Sequence, residues 1–82
     1  MNKTKKFASN LTQTTNGNGR AIFSYGWYPI VIETKGETFV CSTKYSPTTS
    51  RQTTKVVRKI EARNVVYKTH SEMKEICRQL DF

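Results

Sequence analysis

Between Arg20 and Glu33 the chain carries Ala21, Ile22, Phe23, Tyr25, Trp27, Tyr28, Ile30, Val31 and Ile32, its densest concentration of β-branched and aromatic residues. Such residues suit a pleated, buried backbone, so the fold has to be assembled around this segment. Gly26 and Pro29 interrupt it. Gly26 either opens a type II′ turn between two strands or bulges one long bent strand. The flanking halves are short and unevenly patterned, which favours the bent strand. Pro29 has no N–H to give to a ladder and points to a sheet edge.

The elements on either side follow from periodicity. Residues 1–19 are polar, with only Phe7 and Leu11 as bulky apolar side chains and the breaker run Asn16-Gly17-Asn18-Gly19. They read as a flexible basic arm preceding a single domain over residues 20–82. After a turn at Thr34-Lys35-Gly36-Glu37, residues 38–45 alternate as a returning strand, with Phe39, Cys41, Thr43 and Tyr45 on one face. Ser46-Pro47 then combines an N-cap hydroxyl with a proline at the first helical position, opening a helix to about Ala62. Its apolar arc is Thr49, Thr53, Val56, Val57 and Ile60, and its opposite arc is Arg51, Lys55, Arg58 and Lys59. Val65-Val66-Tyr67-Lys68 reads as a short strand. Thr69-x-x-Glu72 is a capping box leading Met73, Ile76, Cys77 and Leu80 along one helix face. The expected fold is α+β: a small antiparallel sheet with two helices on one face, in the order β-β-α-β-α.

A chain of 82 residues holds one domain with a small core. No apolar run approaches the ~20 residues that span a bilayer, and no apolar stretch follows Lys6, so neither a membrane span nor a signal peptide is expected. Cys41 and Cys77 are the only cysteines; they fit two half-buried thiols in a reducing cytoplasm.

Charge says more about partners. Fourteen Lys and Arg against six Asp and Glu give a net charge of +8. The excess is uneven: residues 1–20 carry +4, residues 38–64 carry +5, and the last eighteen residues balance. Arg51, Lys55, Arg58 and Lys59 would set four cations along roughly 12 Å of helix, a density suited to a phosphate backbone. A merely solvated helix face interleaves acids with bases, whereas this one has only Glu61, near its end. Lys44, Ser46, Thr48, Thr49 and Ser50 gather beside Arg51 at the helix start. There, unpaired N–H groups and the positive dipole end favour either a phosphate or simple capping. Lys3, Lys5, Lys6 and Arg20 could extend the contact along a groove, and Tyr25 and Trp27 could stack on bases.

Catalysis is not expected. His70, the only histidine, stands at a helix start beside its cap, and the carboxylates Glu33, Glu37 and Glu61 have no acid–base spacing. No phosphate loop, nucleophile elbow or metal set is visible, and no cofactor is implied.

Phe23-Ser24-Tyr25-Gly26 and, about twenty residues on, Tyr45-Ser46-Pro47-Thr48-Thr49-Ser50-Arg51 form a distinctive pair. Together they resemble a pattern in short proteins of bacteriophages and plasmids that share a domain of unknown function. In those the pieces run roughly S-Y-x-T-x-[IV]-A and Y-S-x-T-T-S-[RK]-H; here Gln52 stands where His is usual. The resemblance covers about residues 20–60 and implies a mobile-element protein acting inside a bacterial cell. Two partner classes follow: nucleic acid, or a host or defence protein that itself works on nucleic acid and that this chain would inhibit.

Overall fold

The computed structural model describes residues 2–43 and 47–82. Six strands, β1 (Lys3–Ala8), β2 (Leu11–Asn16), β3 (Gly19–Ser24), β4 (Tyr28–Glu33), β5 (Thr38–Cys41) and β6 (Val65–Lys68), form one sheet in the order β1-β2-β3-β4-β5-β6. All neighbours are antiparallel except β5 and β6, which run parallel and are joined through helix α1 (Pro47–Lys59). Helix α2 (His70–Gln79) follows β6. The α+β class stands, but the sheet is larger than expected and the element order is β-β-β-β-β-α-β-α.

Two corrections account for the additional strands. Residues 3–16, read as part of an arm, form the hairpin β1–β2, paired from Lys3↔Thr15 to Ala8↔Leu11. Asn16-Gly17-Asn18-Gly19 is the turn into β3, where the Asn18 N–H donates to Asn16 Oδ1 at 2.8 Å. Gly19 is indispensable there: at φ 137° a Cβ would lie 2.0 Å from the Glu33 carbonyl oxygen. Secondly, Arg20–Glu33 is not a bent strand but the hairpin β3–β4. Tyr25 (φ 54°) and Gly26 (φ 81°) supply the positive-φ pair that primed turns use. The expected bulge lies elsewhere, where the register shifts between Ile22↔Val31 and Phe23↔Pro29. Pro29 therefore sits in an interior strand. Its missing N–H is accommodated beside the bulge, and the ladder to β5 begins only at Val31.

The two helices lie on opposite faces, not on one. Strands β2 and β3 pair without a shift from Leu11↔Ser24 to Asn16↔Gly19, so alternation turns Ser24 and Asn16 to opposite sides. Ser24 Oγ donates to Gln52 Oε1 of α1 at 2.6 Å. Asn16 Nδ2 donates to the Leu80 carbonyl at the end of α2, at 3.0 Å. With a helix on each side, every residue of β4 from Tyr28 to Ile32 is buried. Val56 of α1 and Met73 and Cys77 of α2 close the core, while Val57, Ile60, Ile76 and Leu80 are half-buried against it.

Local signals fix the helix ends. Thr69 and Glu72 make the expected capping box: Glu72 N–H donates to Thr69 Oγ1 and Thr69 N–H to Glu72 Oε1. Both helices terminate through a left-handed residue, Glu61 (φ 52°) after α1 and Asp81 (φ 61°) after α2. In each, the following N–H reaches back to a carbonyl five residues earlier, Ala62 to Val57 and Phe82 to Cys77. Helix α1 accordingly stops at Lys59, three residues short of the expected Ala62.

Candidate nucleic-acid interface

Helix α1 rests on the sheet through Thr49 and Val56, which leaves Arg51, Lys55, Arg58 and Lys59 exposed along its outer side. None of the four is ion-paired among the described residues. Arg58 and Lys59 occupy the last turn, where the helix dipole favours cations. Arg51 and Lys55 gain nothing from the dipole and stand at the i, i+4 spacing at which like charges repel. Helix stability therefore explains half of the stripe and leaves the other half to another role.

Residues beside α1 extend the positive surface. Lys3 and Lys5 pair with Thr15 and Gln13, and alternation sets them on the sheet face that α1 covers. Lys59 places its Nζ 5.0 Å from the centre of the Phe7 ring, tying the end of α1 to β1. Lys6 faces the other way, toward the α2 side. The α2 surface is mixed, with Lys74 and Arg78 among Glu72, Glu75 and Asp81, and Arg78 is paired with Glu75. The molecule is thus electrically polarised, with its excess positive charge on the α1 side.

Several expected contributors fall away. Arg20 is engaged across β3–β4, its Nε 2.7 Å from Glu33 Oε1 and its Nη1 3.2 Å from Gln13 Oε1. Thr49 is buried, so it faces the sheet and not a ligand at the helix start. Thr48 and Ser50 remain at the surface, while Thr53 and Thr54 turn their hydroxyls back onto the Thr49 and Ser50 carbonyls. Lys44 and Ser46 lie outside the described residues. Of the described hydroxyls in this cluster, Thr48 and Ser50 are the ones left accessible beside Arg51.

The β3–β4 hairpin adds aromatic surface next to α1. Tyr25 and Trp27 are 53% and 55% exposed at its tip. Trp27 meets Tyr28 and His70 edge-on, with centroids 5.3 and 6.3 Å apart, while Tyr28 stacks flat on His70 at 4.2 Å. Burial, then the nearby Lys74 charge, holds the His70 pKa below its usual value, and its Nδ1 is enclosed without a hydrogen-bond partner. His70 therefore serves as a neutral support for Tyr28. The hydrogen bond from Ser24 to Gln52 joins the base of this hairpin to the residue after Arg51, so the two distinctive sequence segments meet here. Tyr67 of β6, 68% exposed, borders α1 across a cleft lined by Tyr28, Thr49, Ser50 and Thr53. Sequence reasoning missed Tyr67; its place on an edge strand, alternating with a covered Val66, is the signal that would have found it.

Cys41 and Cys77 are both free and buried, and burial pushes the Cys77 thiol up to about 11, which keeps it protonated at neutral pH. No helix among the described residues is long and apolar enough to cross a membrane. No protein-family model, curated protein or solved structure matches the chain.

Proposed function

We propose that this chain is a small basic binding protein of a bacteriophage or other mobile element. On this reading it works in the cytoplasm of the bacterial host, not as an enzyme, and holds nucleic acid through the outer face of α1. The observation that supports this most directly is the uncompensated stripe Arg51, Lys55, Arg58 and Lys59, exposed on a helix whose first half gains nothing from positive charge. Lys3 and Lys5 widen the same face, and the near-neutral α2 side orients the molecule toward a polyanion.

Reversing Lys55 and Arg58 to Glu tests the reading. Lys59 is left in place because it also contacts Phe7. Exposed charges contribute little to stability, so the double variant should fold and melt like the wild type. Its affinity for nucleic acid should fall steeply, and material co-purifying with the wild type should be stripped by high salt and absent from the variant. A variant that binds nucleic acid as well as wild type refutes the assignment. So does a wild type that ignores nucleic acid and instead forms a tight stoichiometric complex with a host or defence protein.

A further inference from the structure

We propose that the surface is built for unpaired bases: Tyr25, Trp27 and Tyr67 stack on nucleobases of a single strand whose phosphates lie along α1. The inference rests on the nucleic-acid reading above and specifies which form of nucleic acid is bound. Among the described residues three large aromatic side chains are more than half exposed: Tyr25 and Trp27 in the turn that follows Ser24, and Tyr67 beside Thr49, Ser50 and Thr53 of α1. The Ser24–Gln52 hydrogen bond ties the end of β3, one residue before Tyr25, to the residue after Arg51. Tyr28, edge-on to Trp27, lines the same cleft as Tyr67, with Thr49, Ser50 and Thr53 of α1 as its helical wall, so aromatic rings border the first half of α1.

Tyr25 carries the argument furthest. It occupies a left-handed backbone position, φ 54°, where asparagine or glycine would be at ease and a bulky residue is strained. A side chain held there, yet more than half exposed, gives the core little in return. Trp27 is likewise displayed, and its edge contacts with Tyr28 and His70 hold the ring in place rather than cover it. A duplex hides its base faces, so such rings add nothing to duplex binding. A single strand offers one π-face per nucleotide. Pre-positioned aromatics next to phosphate-binding cations therefore favour the strand.

Trp27 is the only tryptophan, so its emission reports directly on the tip. Oligothymidylate and oligouridylate of about 15 nucleotides, and a duplex of equal length, are titrated into the full chain. Quenching of Trp27 by either single strand, with at least tenfold preference over the duplex, is expected. Tyr25→Asn and Tyr67→Thr should each weaken strand binding roughly 5- to 150-fold, the value of one base–aromatic stack, and leave duplex binding unchanged. Tyr25→Asn should melt no lower than wild type, because asparagine tolerates the left-handed position. If strand and duplex bind equally and both variants behave as wild type, while Lys55→Glu/Arg58→Glu abolishes binding, stacking is refuted and the charge reading survives. If neither strand nor duplex binds the wild type, both fall together.

Discussion

Neutralising Lys55 and Arg58 together should halve the salt dependence of nucleic-acid binding. The exposed cations of α1 run from Arg51 to Lys59, a rise of about 12 Å. If each of the four displaces one counterion from a single strand, the log–log slope of affinity against salt is about −2.8, and about −1.4 once two are gone. Raising salt from about 50 to 200 mM then weakens the wild type about 50-fold but Lys55→Gln/Arg58→Gln only about 7-fold. Glutamine removes the charges without adding repulsion, so the slope counts lost contacts and nothing else. Anisotropy of a labelled oligonucleotide measures it, with Lys74→Gln on the α2 side as the control expected to keep the full slope. A folded double variant with the wild-type slope would show that the phosphates lie elsewhere and would refute the assignment of α1.

Three further outcomes test the fold beneath the site. Gly19→Ala should destabilise by about 1–3 kcal/mol or more in urea unfolding, because its Cβ would meet the Glu33 carbonyl at 2.0 Å. Gly36→Ala, with nothing within 4 Å, should change stability by less than about 0.5 kcal/mol. Met73→Ala, at a fully buried position of α2, should cost about 2–5 kcal/mol, and Leu80→Ala less because Leu80 is only half-buried. His70 has a folded pKa below its usual value, so the unfolded chain takes up the proton more readily. Its contribution is therefore present above about pH 6.5 and is lost as pH falls below it, a slope that His70→Asn should flatten in melts from pH 7.5 to 5.

The helical part of the fold was legible because its signals are local. Thr69 and Glu72 stand three residues apart at a helix start, and Met73 and Cys77 one turn apart on one face. The hairpins were not, and Asn16-Gly17 shows why. An Asn-Gly dipeptide is a strong hairpin signal when alternating apolar residues flank it, but β2 offers Thr, Gln and Asn. Those polar residues are held by the sheet nonetheless: Gln13 and Thr14 are buried, and Arg20 on the neighbouring strand β3 donates to Gln13 Oε1. Burial of polar strands depends on cross-strand partners and on the helices packed over them, which periodicity does not report. Tyr25 misled for the opposite reason, since a tyrosine at positive φ contradicts the residue preference by which primed turns are recognised.

The cationic stripe was readable because a helix spaces its face by arithmetic, and Arg51, Lys55, Arg58 and Lys59 emerge exposed as that arithmetic requires. What arithmetic could not supply was the sorting of the remaining cations. Lys3 and Lys5 fall on the α1 side only through their register with Thr15 and Gln13, and Lys6 on the other. Arg20 leaves the set because β3 and β4 set it opposite Glu33. One hydrogen bond, Ser24 to Gln52, ties the β3 end of the aromatic hairpin to α1, joining residues twenty-eight apart in sequence. That bond has a consequence for any variant of this face. Cutting it should separate the hairpin tip from Arg51 without removing a single charge or ring, so a loss of single-strand preference with an unchanged salt slope would locate the selectivity in their spacing.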